Sequence, residues 1–157
     1  MSRIHSNKSL NSIFGITLMT ALLGLTACSS PANPDVKARQ DMMKSYGDAT
    51  GVMGDMVKAP DTFDAAVVKE QAAFLAEDSK NPWSHFEDQE AVGNATEAVW
   101  SNTDDFRTKS ENFQQATAEL NNAAQTATSV EDFKPAFVAV GKSCKSCHTD
   151  YKVKDAD

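Results

Sequence analysis

Residues 133–151 read FKPAFVAVGKSCKSCHTDY. Phe133, Phe137, Val140, Cys144, Cys147 and Tyr151 recur at intervals of four and three, the repeat of one helix face. This predicts a helix that opens between Ser129 and Asp132, with Pro135 in its first turn. Working back along the chain, Phe106, Phe113, Leu120 and Ala127 fall seven apart, behind a cap at Asn102 or Thr103 and the acidic pair Asp104-Asp105. A further helix is expected to open at Asp61 or Thr62, to carry Phe63, Val67, Ala73 and Phe74, and to stop before Asn81-Pro82. The first begins at Asn33-Pro34, a cap followed by proline at the first helical position. Its expected stripe is Val36, Gln40, Met43, Gly47, Thr50, Met53 and Val57, and Pro60 ends it. No strand-like alternation competes with these patterns. Four amphipathic stripes bury one another most simply in an all-α, antiparallel four-helix bundle.

Within the last helix, Cys144-Lys145-Ser146-Cys147-His148 is a C-x-x-C-H motif, the attachment signature of c-type haem. Thiols three apart on a helix share nearly one face and can bond both vinyl groups of a single haem. His148 then offers its imidazole to the iron as proximal ligand. A thioredoxin-like site would need a βαβ setting. Zinc would need more Cys or His, and beyond the leader the only other histidine is His85. A disulfide between cysteines so close on one helix would be odd. One covalent haem c is the expected cofactor.

The N-terminus reads as an address. Arg3 and Lys8 precede the apolar run IFGITLMTALLGL at residues 13–25, which is too short to span a bilayer and right for an export signal. Leu25-Thr26-Ala27-Cys28 resembles a bacterial lipobox, which implies removal of residues 1–27 and lipidation of Cys28. Residues 28–34 then form a lipidated tether and 35–157 the folded domain. Ser29 after the cysteine implies the outer membrane, facing the periplasm. The chain has 15 Lys and Arg against 22 Asp and Glu. Loss of the leader removes Arg3 and Lys8 and no acidic residue, so the acidic excess grows. Phosphate backbones need clustered positive charge, so nucleic acid is excluded as a partner.

With the motif at the end of a fourth bundle helix, the chain resembles the cytochrome c′ family from about Val36 to Lys152. Arg39-Gln40 is similar to that family's Arg-Gln pair, which lies beside the haem propionates. Pro82-Trp83-Ser84-His85-Phe86 resembles its P-W-x-x-F segment, whose aromatics Trp83 and Phe86 wall the haem. Trp100-Ser101 and Gly141-Lys142-Ser143 also fit the pattern. Two places depart from it. Tyr151 is followed by Lys152 where many members have Arg, and Glu87-Asp88-Gln89-Glu90 replaces a glycine-rich turn.

The resemblance places Met43 over the iron, opposite His148. As packing, Met43 leaves an open site for NO or CO; as a sixth ligand, it makes a low-spin c-556-type electron carrier. The first-helix face around Met43 is expected to offer no His, Tyr or Trp above the iron. His85 is expected to face water from its loop. Without a distal acid or base the protein is read as a binding protein and not an enzyme. Its expected partners are NO or CO, or a redox protein drawn by the acidic surface. The family resemblance also implies a homodimer. An interaction lipoprotein without haem is the remaining reading.

Overall fold

The computed structural model describes residues 33–154. The leader at 1–27, the lipidation site Cys28, most of the tether and the last three residues of the 35–157 domain lie outside that range.

Helix α1, Pro34–Lys58, starts as the sequence dictates: Asn33 Oδ1 accepts from the amides of Asp35 at 2.9 Å and Val36 at 3.3 Å. Pro60 begins a single 3-10 turn, Pro60–Thr62. Helix α2, Ala65–Asp78, therefore opens later than expected. Asp64, not Asp61 or Thr62, is its cap, with Oδ1 accepting from Ala66 N at 2.8 Å and Val67 N at 3.2 Å. Its buried face is also displaced by one residue. Val68, Ala72 and Leu75 are buried, whereas Ala73 and Phe74 are exposed. The doublets at 67–68, 72–73 and 74–75 satisfy either face, so spacing alone cannot choose between them, and packing on the rest of the bundle does.

The long connection contains a 3-10 segment, Pro82–Phe86, and a short helix α3, Ala98–Ser101. Helix α4, Thr103–Thr126, follows Asn102, whose side chain makes no capping bond. Helix α5, Val130–Tyr151, opens with a capping box in which Ser129 and Asp132 serve one another's backbone. Pro135 consequently lies inside the helix, in its second turn and not its first.

The long helices form the expected bundle. Helix α4 packs along both α2 and α5, and α1 lies on α2 and on Pro82–Phe86. The fully buried centre is Phe133, Met53, Leu75, Leu120, Val68 and Val140. A second cluster joins Phe86, Trp100, Phe106 and Tyr151 around Val99 and Ala95. Among the described residues there is no strand, only an antiparallel bridge between Ala95 and Lys152. None of their helices is long and apolar enough to cross a membrane.

On α1 the face buried in the bundle is Arg39, Tyr46, Ala49, Met53 and Met56. The stripe expected from spacing is mostly the adjoining face: Gln40, Met43, Gly47 and Thr50 line cavities. Arg39 and Tyr46 look too polar to be core, but each brings its polar end to a partner, which removes the cost of burial.

Candidate functional site

Two cavities open between α1 and the end of α5. One, of about 200 Å³, is walled by Met43, Tyr46, Leu75, Trp83 and Phe113, with Cys144, Cys147 and His148 along one side. The other, of about 210 Å³, is walled by Arg39, Gln40, Trp83, Phe86, Phe106 and Tyr151. Met43, Trp83, Cys147 and His148 border both. The structure thus brings together every site residue read from the described part of the sequence.

Helix geometry presents the motif. Cys144 and Cys147 are both free, half-buried thiols on the inner face of α5. Burial pushes the Cys144 thiol up and Cys147 up to about 11. His148 follows one position on, its imidazole held below the ordinary value by desolvation and then by Lys152. A neutral imidazole is the form that ligates a metal. Among the described residues no group of three or more His, Cys, Asp or Glu could hold a metal ion.

The end of α5 is clamped from two sides. Thr96 N donates to Tyr151 O at 3.0 Å and Val153 N to Asn94 O at 2.9 Å. On the other side, Tyr151 Oη donates to Asp105 Oδ2 at 2.6 Å, and Lys109 Nζ reaches Asp150 at 3.0 Å and Ser146 Oγ at 3.1 Å. Lys109 and Asp105 carry no spacing signal that sequence reasoning could have used.

Arg39 is 4% exposed and braces the second cavity. It donates to the carbonyls of His85 at 2.8 Å and Val92 at 2.6 Å, and to that of Ala91. Its guanidinium carbon lies 4.5 Å from the Phe86 ring centre. Gly93, with φ +53°, permits this close approach, since a Cβ there would fall 2.6 Å from Val36 Cγ1. His85 does not simply face water. Its Nδ1 is 2.8 Å from Asp35 Oδ1, which ties the Pro82–Phe86 segment to the first turn of α1.

The first cavity corrects another expectation. Tyr46 and Trp83 do line it beside Met43. Yet Tyr46 Oη donates toward Asp78, 2.7 Å from its carbonyl and 2.8 Å from Oδ2, and Trp83 Nε1 donates to Ser79 O at 2.7 Å. Thr50 Oγ1 and Ser143 Oγ likewise donate to helix carbonyls, each at 2.7 Å. The rings contribute carbon surface, and their donors are engaged elsewhere. The sequence pattern could not show this, because Tyr46 lies one turn beyond Met43 and its partner Asp78 is on α2.

The residues fit a flat, largely apolar macrocycle bonded through two thioethers. Aromatic walls supply its slot, the paired thiols its attachment and Arg39 a positive charge at one edge.

A family model described as Cytochrome C′ matches residues 35–152. Cytochrome c′ of Alcaligenes xylosoxydans xylosoxydans is 34% identical over 119 residues, which cover 76% of this chain and 93% of that one. A cytochrome c-556 of Agrobacterium fabrum is 31% identical, covering 88% and 95%. Among solved structures, a ferrous variant of the Alcaligenes xylosoxidans protein with bound NO superposes with a TM-score of 0.71 at 34% identity, covering 77% and 94%. Cytochrome c′ of Shewanella frigidimarina gives 0.71 at 34%, covering 76% and 94%.

Proposed function

From the premise that the chain belongs to the cytochrome c′ family and carries one covalent haem c with its iron, we propose that it binds NO and CO at an open haem site. Cys144 and Cys147 carry the thioethers and His148 is the proximal ligand. Met43 packs over the site, Trp83 and Phe86 wall the macrocycle, and Arg39 and Gln40 lie at its propionate edge. The haem supplies an iron that takes a small neutral ligand or exchanges one electron.

The observation that carries this reading is the first cavity, where Met43, Tyr46, Trp83 and Phe113 present carbon surface and the donors of Tyr46 and Trp83 are engaged elsewhere. Bound dioxygen gains from a donated hydrogen bond, whereas NO and CO depend on one less. Peroxidase-type turnover needs a positioned acid or base, and Tyr46 is held by Asp78 in its protonated form, its hydroxyl pushed well above the ordinary value by burial and that carboxylate. This supports reading the protein as a ligand-binding protein. The NO bound in the ferrous Alcaligenes relative supports the same ligand class.

Optical and electron paramagnetic resonance spectra of the purified holoprotein test the proposal. The expected result is a high-spin haem whose ferrous spectrum changes on titration with NO or CO. A low-spin spectrum with a methionine–iron charge-transfer band, abolished by Met43→Ala, would replace it with an electron carrier ligated by His148 and Met43.

The proposal includes the address and assembly: export to the periplasm, removal of residues 1–27, lipidation at Cys28, an outer-membrane anchor and a homodimer. The basic start, short apolar run and small residues before Cys28 support the address. Cys28→Ser is expected to release the haem protein from washed membranes and to end its labelling by radioactive palmitate. Sedimentation of the detergent-free soluble domain checks the dimer.

A further inference from the structure

Among the lysines whose ion pairs are described, Lys109 is set apart by the burial of its stem, its ammonium meeting half-exposed carboxylates. The lysines that pair along α1, Lys37, Lys44 and Lys58, keep 65%, 75% and 78% of their side-chain surface in solvent, whereas Lys109 keeps 17%. Its ammonium is 3.0 Å from Asp150 and 3.8 Å from Asp105, and it also donates to Ser146 Oγ at 3.1 Å. Ser146 lies between the two attachment cysteines. The ammonium is therefore fixed against the outer side of the attachment turn, while the cavities lie on the inner side. Asp105 is itself immobilised, since it accepts the Tyr151 hydroxyl at 2.6 Å.

A charge held in a fixed place acts on any redox centre nearby, the more so at low ionic strength. Reducing a ferric haem adds one electron, so a neighbouring positive charge favours the ferrous form and a negative charge the ferric form. We propose that Lys109 is an electrostatic determinant of the haem's reduction potential, its ammonium raising the potential of the haem carried on Cys147 and Asp105 opposing it. The inference rests on the haem attachment at Cys147 and is independent of whether the sixth position is open.

Spectroelectrochemical titration of the holoprotein tests it. Lys109→Met is expected to lower the midpoint potential, Lys109→Arg to leave it near the parent value, and Asp105→Asn to raise it. Opposite shifts for the two charge-removing variants are the signature of a field effect, because loosening of the α4–α5 contact would move both in one direction. Equal potentials in all four proteins, or shifts of one sign accompanied by lower melting temperatures, would make Lys109 a structural ion pair and overturn the proposal. Should Lys109→Met fail to mature, the Asp105→Asn rise and the Lys109→Arg constancy still decide the matter. Failure of this inference is distinguishable from failure of the gas-binding reading, which the spin state and the NO and CO titrations report.

Discussion

Tyr46 shows how a polar residue becomes part of an apolar wall. Its ring is 5% exposed, and its hydroxyl is engaged by both the carbonyl and the carboxylate of Asp78. Tyr46→Phe is expected to cost about 1.5–3 kcal/mol, the range for a hydrogen bond to a charged group. Chemical denaturation of the holoprotein would measure it, with CO affinity changed little because the ring remains. Gly93→Ala is expected to be destabilising by at least about 1 kcal/mol, since alanine is strained at φ +53° and its Cβ meets Val36. At this scale the sequence was legible where chemistry is local. Cys144, Cys147 and His148 are adjacent and carry their own signature. Tyr46, His85 and Lys109 were not legible, because each takes its meaning from a partner on another element: Asp78, Asp35 and Asp150.

At the scale of elements, caps were the readable signals. Asn33-Pro34 starts α1 and Ser129 with Asp132 starts α5, whereas the true cap of α2, Asp64, was passed over for Asp61 or Thr62. That stretch offers several capping residues, and a 3-10 turn absorbs the first of them. The α5 box has a measurable pH signature. The Asp132 carboxyl is held below its ordinary value of 3.8 by the backbone and hydroxyl of Thr128 and then by those of Ser129. A depressed carboxyl contributes stability that is fully present above the unfolded value and disappears as pH falls through the lower folded one. The melting-temperature gap between the parent and Asp132→Asn is therefore expected to be flat above about pH 5 and to close as pH falls below about 4. A gap that persists unchanged into strong acid would mean that the carboxylate charge is irrelevant to the cap.

In the described bundle, α4 packs densely on both α2 and α5, while α1 meets α5 only sparsely and the two cavities lie between α1 and α5. A chain that cannot attach haem, Cys144→Ser with Cys147→Ser, is expected to lose amide protection in α1 first and to keep it longest in α4 and α5. Hydrogen exchange would show this order, and uniform loss would mean that the bundle folds as one unit without its cofactor. The bundle was legible from stripes on α4 and α5, where Phe113, Leu120, Phe133 and Phe137 anchor the repeat even though Ala136-Phe137-Val138-Ala139-Val140 is apolar on every side. The division of α1 between a core face and a cavity face was not legible, since both carry residues of intermediate polarity. The carbon lining of the first cavity has a last consequence. It behaves as a small drop of organic solvent, into which solutes partition by the strength of their hydration. An azide, cyanide or nitrite anion must shed its water shell with the Tyr46 and Trp83 donors turned away, at a cost of several kcal/mol. A neutral diatomic sheds almost nothing. On the proposed gas-binding reading, admission is decided by dehydration, upstream of any affinity for the metal.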